Sequence, residues 1–65
     1  MKEYDYEITS MEQLDEFQQF YCDKGLCHVI QILDHMDYYQ CEVLEPHELS
    51  GQVFYLEIGD KISLT

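Results

Sequence analysis

The chain has 65 residues, with 14 Asp and Glu against three Lys and a formal net charge of −11, and it contains no Arg, Ala, Asn or Trp. A chain this short buries only about 60% of its unfolded surface, which points to one domain with one small core and excludes a multi-domain enzyme with a deep cleft. The acidity and the missing arginine exclude direct binding to nucleic acid or anionic membranes, while 46% hydrophobic and 14% aromatic residues exclude a disordered acidic tail.

Cys22, Cys27 and Cys41 are an odd set, ill-suited to a secreted domain stapled by bridges. Met1 leads directly into Lys2-Glu3-Tyr4-Asp5 with no apolar signal region, and no apolar run approaches the roughly 18 residues of a membrane span. A cytoplasmic protein with reduced thiols is the expectation.

In chain order, Glu3 to Ile8 alternates strictly, Tyr4, Tyr6 and Ile8 against Glu3, Asp5 and Glu7, the period-2 pattern of a half-buried strand. Thr9 with Glu12 and Ser10 with Gln13 form two overlapping capping boxes. Met11, Leu14, Phe17 and Tyr21 then recur every three or four residues, with Phe20 widening the stripe, and Lys24-Gly25 supplies a C-terminal signal. This pattern predicts an amphipathic helix over about residues 11–23. Leu26 to Leu33 is apolar on both faces and reads as the central strand. Asp34 to Asp37 is a turn, Tyr38 to Leu44 a further alternating strand, and Glu45 to Gly51 a loop with room for one helical turn. Gln52 to Ile58 follows as a strand with Phe54, Leu56 and Ile58 facing the core. Gly59-Asp60 is a two-residue hairpin signal leading into Ile62 to Leu64. The expected fold class is α+β, one helix packed on a four- to five-stranded, mostly antiparallel sheet in the order β-α-β-β-β-β.

The placement of the carboxylates says more than their number. On the predicted helix Glu12, Asp15, Glu16 and Asp23 share the face opposite the apolar stripe, and no Lys or Arg relieves them at i,i+4. Ordinary solvated faces mix signs. Glu3, Asp5 and Glu7 form a comb with teeth about 6.6 Å apart, the order of the spacing between phosphates along a nucleic-acid strand. Asp34 and Asp37 add charge at one turn, Glu45 and Glu48 at a loop, and Glu42 and Glu57 at outward strand positions. Self-repulsion of this kind costs stability, and a partner with a concentrated positive groove would offset it. The partner-binding set is therefore Glu3, Asp5, Glu7, Glu12, Asp15, Glu16, Asp23, Asp34, Asp37, Glu42 and Glu57. Tyr residues serve well as interface anchors, although Tyr6, Tyr21 and Tyr39 are expected to be half-buried in the core.

In size, charge and pattern, carried by the Glu3-Asp5-Glu7 comb, the Glu12/Asp15/Glu16/Asp23 face and the missing arginine, the chain resembles small phage-encoded anti-CRISPR proteins of the DNA-mimic type. The resemblance spans the whole chain in character and rests on no fixed motif. It implies a monomeric inhibitor in the host cytoplasm, one that binds a basic DNA-binding protein such as a CRISPR effector complex. There it would block target-DNA recognition, at a site that reads the protospacer-adjacent motif through basic side chains. An acidic immunity or antitoxin protein that covers a basic nuclease shares the electrostatics, and a plain interaction adaptor is a third reading.

Other chemistry is disfavoured. Cys22-x4-Cys27, His28 and Cys41 offer zinc-type atoms, but no second Cys or His pair accompanies them, and Cys27 and His28 point to opposite faces of a strand. No Asp-x-Asp-x-Asp-Gly calcium loop is present. Neither Gly-rich loop nor nucleophile turn supports catalysis, so no cofactor, metal or enzymatic activity is expected.

Overall fold

The computed structural model describes residues 3–65. Six strands form one antiparallel sheet: β1 (Tyr6–Glu7), β2 (Gln19–Cys22), β3 (Gly25–Leu33), β4 (Tyr38–Glu45), β5 (Val53–Glu57) and β6 (Lys61–Leu64). Their order across the sheet is β1-β6-β2-β3-β4-β5. Two single 3-10 turns, Asp34–Met36 and His47–Leu49, complete the structure, and the described residues contain no α-helix. None of their helices is long and apolar enough to cross a membrane.

The α+β expectation is therefore corrected: the segment read as an amphipathic helix over 11–23 is an irregular crossing followed by β2. Of the two expected capping boxes, the Ser10–Gln13 pair is engaged, but it closes a turn. Gln13 Oε1 accepts from the Thr9 amide at 2.6 Å and the Ser10 amide at 2.9 Å, while Gln13 Nε2 donates to the Glu7 carbonyl at 3.0 Å. Beyond it, like-charged residues at helical spacing weaken any helix. Aromatic residues favour a strand that places Phe20 and Cys22 in the core, and β2 is buried at alternate positions. A second turn joins the two stretches: the Gln18 amide donates to the Asp15 carbonyl at 3.1 Å, and Gln18 Oε1 accepts from the Asp15 amide at 2.9 Å.

A four-stranded meander, β2 to β5, forms the body of the sheet, with β3 near its middle as the sequence suggests. The Gly59-Asp60 turn is present, yet it does not make a hairpin. β6 leaves β5 and pairs with β2 and β1 instead. In a flat sheet β5 and β6 would lie roughly 19 Å apart. The four Cα steps from Glu57 to Lys61 reach at most about 14 Å. The sheet must therefore curl, and the contact between Phe20 on β2 and Phe54 on β5, with ring centroids 6.4 Å apart, shows that it does. The result is a partly open barrel.

Its interior holds Phe20, Cys22, Cys27, Val29, Tyr39, Cys41, Val43, Leu56 and Ile62, closed by Ile8 and Leu14 from the irregular segment. Ile8 also receives the β5–β6 turn: its amide donates to the Asp60 carbonyl and its carbonyl accepts from the Gly59 amide, both at 2.8 Å. Ile58, expected to face the core, is instead 47% exposed. The period-2 pattern of residues 3–8 holds in burial, although only Tyr6 and Glu7 pair in a ladder.

Candidate functional site

Loss of the helix redistributes the carboxylates expected to share its face. Glu12 lies in the turn after Ser10, Asp15 and Glu16 in the turn before β2, and Asp23 in the β2–β3 hairpin. In their place, the fold gathers residues from distant parts of the chain. Glu12, Asp34 and Asp37 line one concave surface with Thr9, Ser10 and Ile58. An adjoining concavity shares Asp37 and Ile58 and adds Glu57. Four carboxylates from the irregular segment, the β3–β4 turn and the end of β5 thus flank the exposed side chain of Ile58. The curl of the sheet produces this cluster, because it brings the end of β5 back toward the segment that follows β1.

Glu3, Asp5 and Glu7 are exposed and alternate with half-buried Tyr4 and Tyr6, although of the three carboxylates only Glu7 lies in β1. Glu7 sits opposite Lys61 in the β1–β6 ladder, without an ion pair between them. Glu42 is half-buried and engaged, with its Oε1 3.0 Å from His28 Nε2. The other ten residues of the expected set are exposed.

The two described lysines gather in one place, with Asp23 and Asp60 beside them. Lys24 and Lys61 line the same cavity of about 410 Å³ at the open seam of the barrel, with Tyr4, Phe54 and Asp60 among its walls. Lys24 Nζ lies 5.1 Å from the centroid of the Phe54 ring, a cation–π contact. Among the described residues the ion pairs are His28–Glu42 at 3.0 Å and His35–Asp34 at 3.9 Å, and no carboxylate is paired with a lysine.

The thiols belong to the core. Cys22 and Cys27 come together with their sulfurs 3.7 Å apart. Burial pushes the thiols of Cys27 and Cys41 up from 9.0 to about 12, with Cys22 nearby adding to both shifts. Among the described residues no three potential ligands are grouped to hold a metal ion.

The outer face of the sheet carries a row that sequence reasoning missed. His28, Glu42 and Val53 are consecutive cross-strand neighbours on β3, β4 and β5. The Phe17 ring lies 6.1 Å from that of His28. Phe17 and Val53 are 65% and 53% exposed. Tyr55, 51% exposed, stacks edge-on against Tyr38 with centroids 4.8 Å apart.

No protein-family model matches the chain, and no curated protein or solved structure matches it.

Proposed function

We propose that the chain is a DNA-mimicking inhibitor, one that occupies the basic DNA-binding groove of a nucleic-acid-binding protein, above all a CRISPR effector complex, and blocks target-DNA recognition. The observation that carries this reading is the exposed carboxylate surface: ten members of the acidic set, with no lysine paired to any of them among the described residues. A small fold gains nothing from such repulsion on its own. A positively charged groove offsets it and is found faster through electrostatic steering. The Glu12/Asp34/Asp37/Glu57 cluster and the Glu3, Asp5 and Glu7 carboxylates supply phosphate-like charge, and Ile58 supplies an apolar contact within the cluster. The reading makes the protein a monomeric, non-catalytic, cofactor-free inhibitor that works in the host cytoplasm, and it agrees in character with anti-CRISPR proteins of the DNA-mimic type.

The test is capture of host proteins on the immobilised chain at low and high salt, with challenge by duplex DNA. DNA-binding proteins released by both salt and duplex are expected. Capture should be lost in a variant combining Glu12→Lys, Asp34→Lys, Asp37→Lys and Glu57→Lys. Retention by that variant, or a partner insensitive to both salt and duplex, would overturn the reading. Capture of a nuclease through its active site would favour an immunity protein.

A further inference from the structure

Phe17 stands out as a residue that the fold does not need in its observed form. Its φ is +66°. Its amide donates to the Val29 carbonyl at 2.7 Å, and the Val29 amide donates to the Gln18 carbonyl at 3.0 Å. Two residues thus oppose one, with the first in the left-handed region, the arrangement of a G1 β-bulge where glycine is the usual occupant. An aromatic residue there is strained, and strain of this sort gathers at functional positions. The side chain recovers little by burial, since it is 65% exposed. One side of the ring is backed by His28, which Glu42 holds in turn. Asp15 and Glu16, both exposed, precede it directly.

We propose that Phe17 is a recognition anchor for arginine on the basic partner: the guanidinium stacks on the open face of the ring while the carboxylates of Asp15 and Glu16 compensate its charge. This rests on the DNA-mimic reading and deepens it. A strand of nucleic acid presents both phosphates and planar bases, and arginine recognises each. Here a ring beside two carboxylates offers both features within three residues. Arginine is favoured over lysine because its planar, weakly hydrated cation stacks on aromatic faces.

The probes are two peptides, (Gly-Arg)4 and (Gly-Lys)4, titrated into the isotope-labelled protein and followed by NMR. The native chain is expected to bind the arginine peptide more tightly, by about three- to tenfold for a contact of the cation–π class, with shifts at Phe17 and His28. Phe17→Tyr should keep that preference, whereas Phe17→Gly and Phe17→Asn should abolish it and leave the lysine peptide unaffected. Because both latter residues tolerate the left-handed backbone, their urea midpoints should be unchanged or raised. Equal affinity for the two peptides, or a preference that survives Phe17→Gly, would overturn the proposal. Absence of salt-sensitive binding to either peptide would count instead against the DNA-mimic reading.

Discussion

At the scale of single residues, one buried phenol organises the irregular segment that replaces the expected helix. The Tyr39 hydroxyl accepts from the amides of Gln13 and Leu14 and donates to the Ser10 carbonyl, each at 3.2 Å. The ring itself is fully buried. Tyr39→Phe keeps the packing and strands a buried amide. We expect a loss of about 1–3 kcal/mol in urea unfolding; a loss below about 0.5 kcal/mol would show that the segment is held by apolar contacts alone. The cysteines give a pH dependence of definite sign. Cys27 and Cys41 keep their protons in the folded chain to about pH 12 and lose them near 9 once unfolded. Their contribution is therefore complete below about 9 and is lost as pH rises from about 9 to about 12. Stability measured across that range should fall, less steeply in Cys41→Ala than in the native chain. At pH 8 the folded protein should resist iodoacetamide.

At the scale of elements, β3, β4 and β5 were legible, whereas residues 11–23 were read as a helix and β2 was missed, for a physical reason. Period-2 patterns are decided locally by burial on one face, so Tyr38 to Leu44 read correctly and Gln52 to Ile58 did so as far as Glu57, with Ile58 beyond the strand and exposed. Residues 11–23 carry two periods at once. Met11, Leu14, Phe17 and Tyr21 fit a helical stripe, but Phe20 and Cys22 fit a strand, and the Glu12–Glu16 pair weighs against the helix. Tertiary pairing with β3 and β6 decides the contest, and no local pattern encodes it. The Gly59-Asp60 turn was likewise legible, whereas the exchange of β6 from β5 to β2 depends on the curl of the whole sheet. The candidate site follows the same division. Exposure of the carboxylates could be read from alternation, while the meeting of Glu12, Asp34, Asp37 and Glu57 could not. Gly25 tests the close approach on which the β3–β4 pairing depends. Its φ is +122°, and an added Cβ would overlap the Glu45 carbonyl oxygen, whereas at Gly59 (φ +99°) a Cβ meets open space. Gly25→Ala should therefore cost more than about 3 kcal/mol or prevent folding, and Gly59→Ala only about 1–2 kcal/mol of left-handed strain. Equal costs in urea unfolding would contradict this assignment.

At the scale of the molecule, the chain carries a net charge of −11, and the lysines at 24 and 61 line one cavity while ten carboxylates of the acidic set stand exposed. Added sodium chloride screens repulsion between exposed charges, so the urea midpoint of the free protein should rise between about 10 mM and 150 mM salt as the Debye length falls from roughly 30 to 8 Å. Reversing Glu12, Asp34, Asp37 and Glu57 to Lys should raise stability at low salt while removing partner binding. Opposite effects on folding and on binding are the mark of charge retained for recognition. The central claim is most directly tested by fluorescence anisotropy of a labelled target duplex bound to purified CRISPR effector complexes, titrated with this protein. Displacement of the duplex that weakens with salt and vanishes in the four-site reversal is expected from at least one effector. Displacement untouched by the reversal, or none from any effector at low salt, would contradict the account.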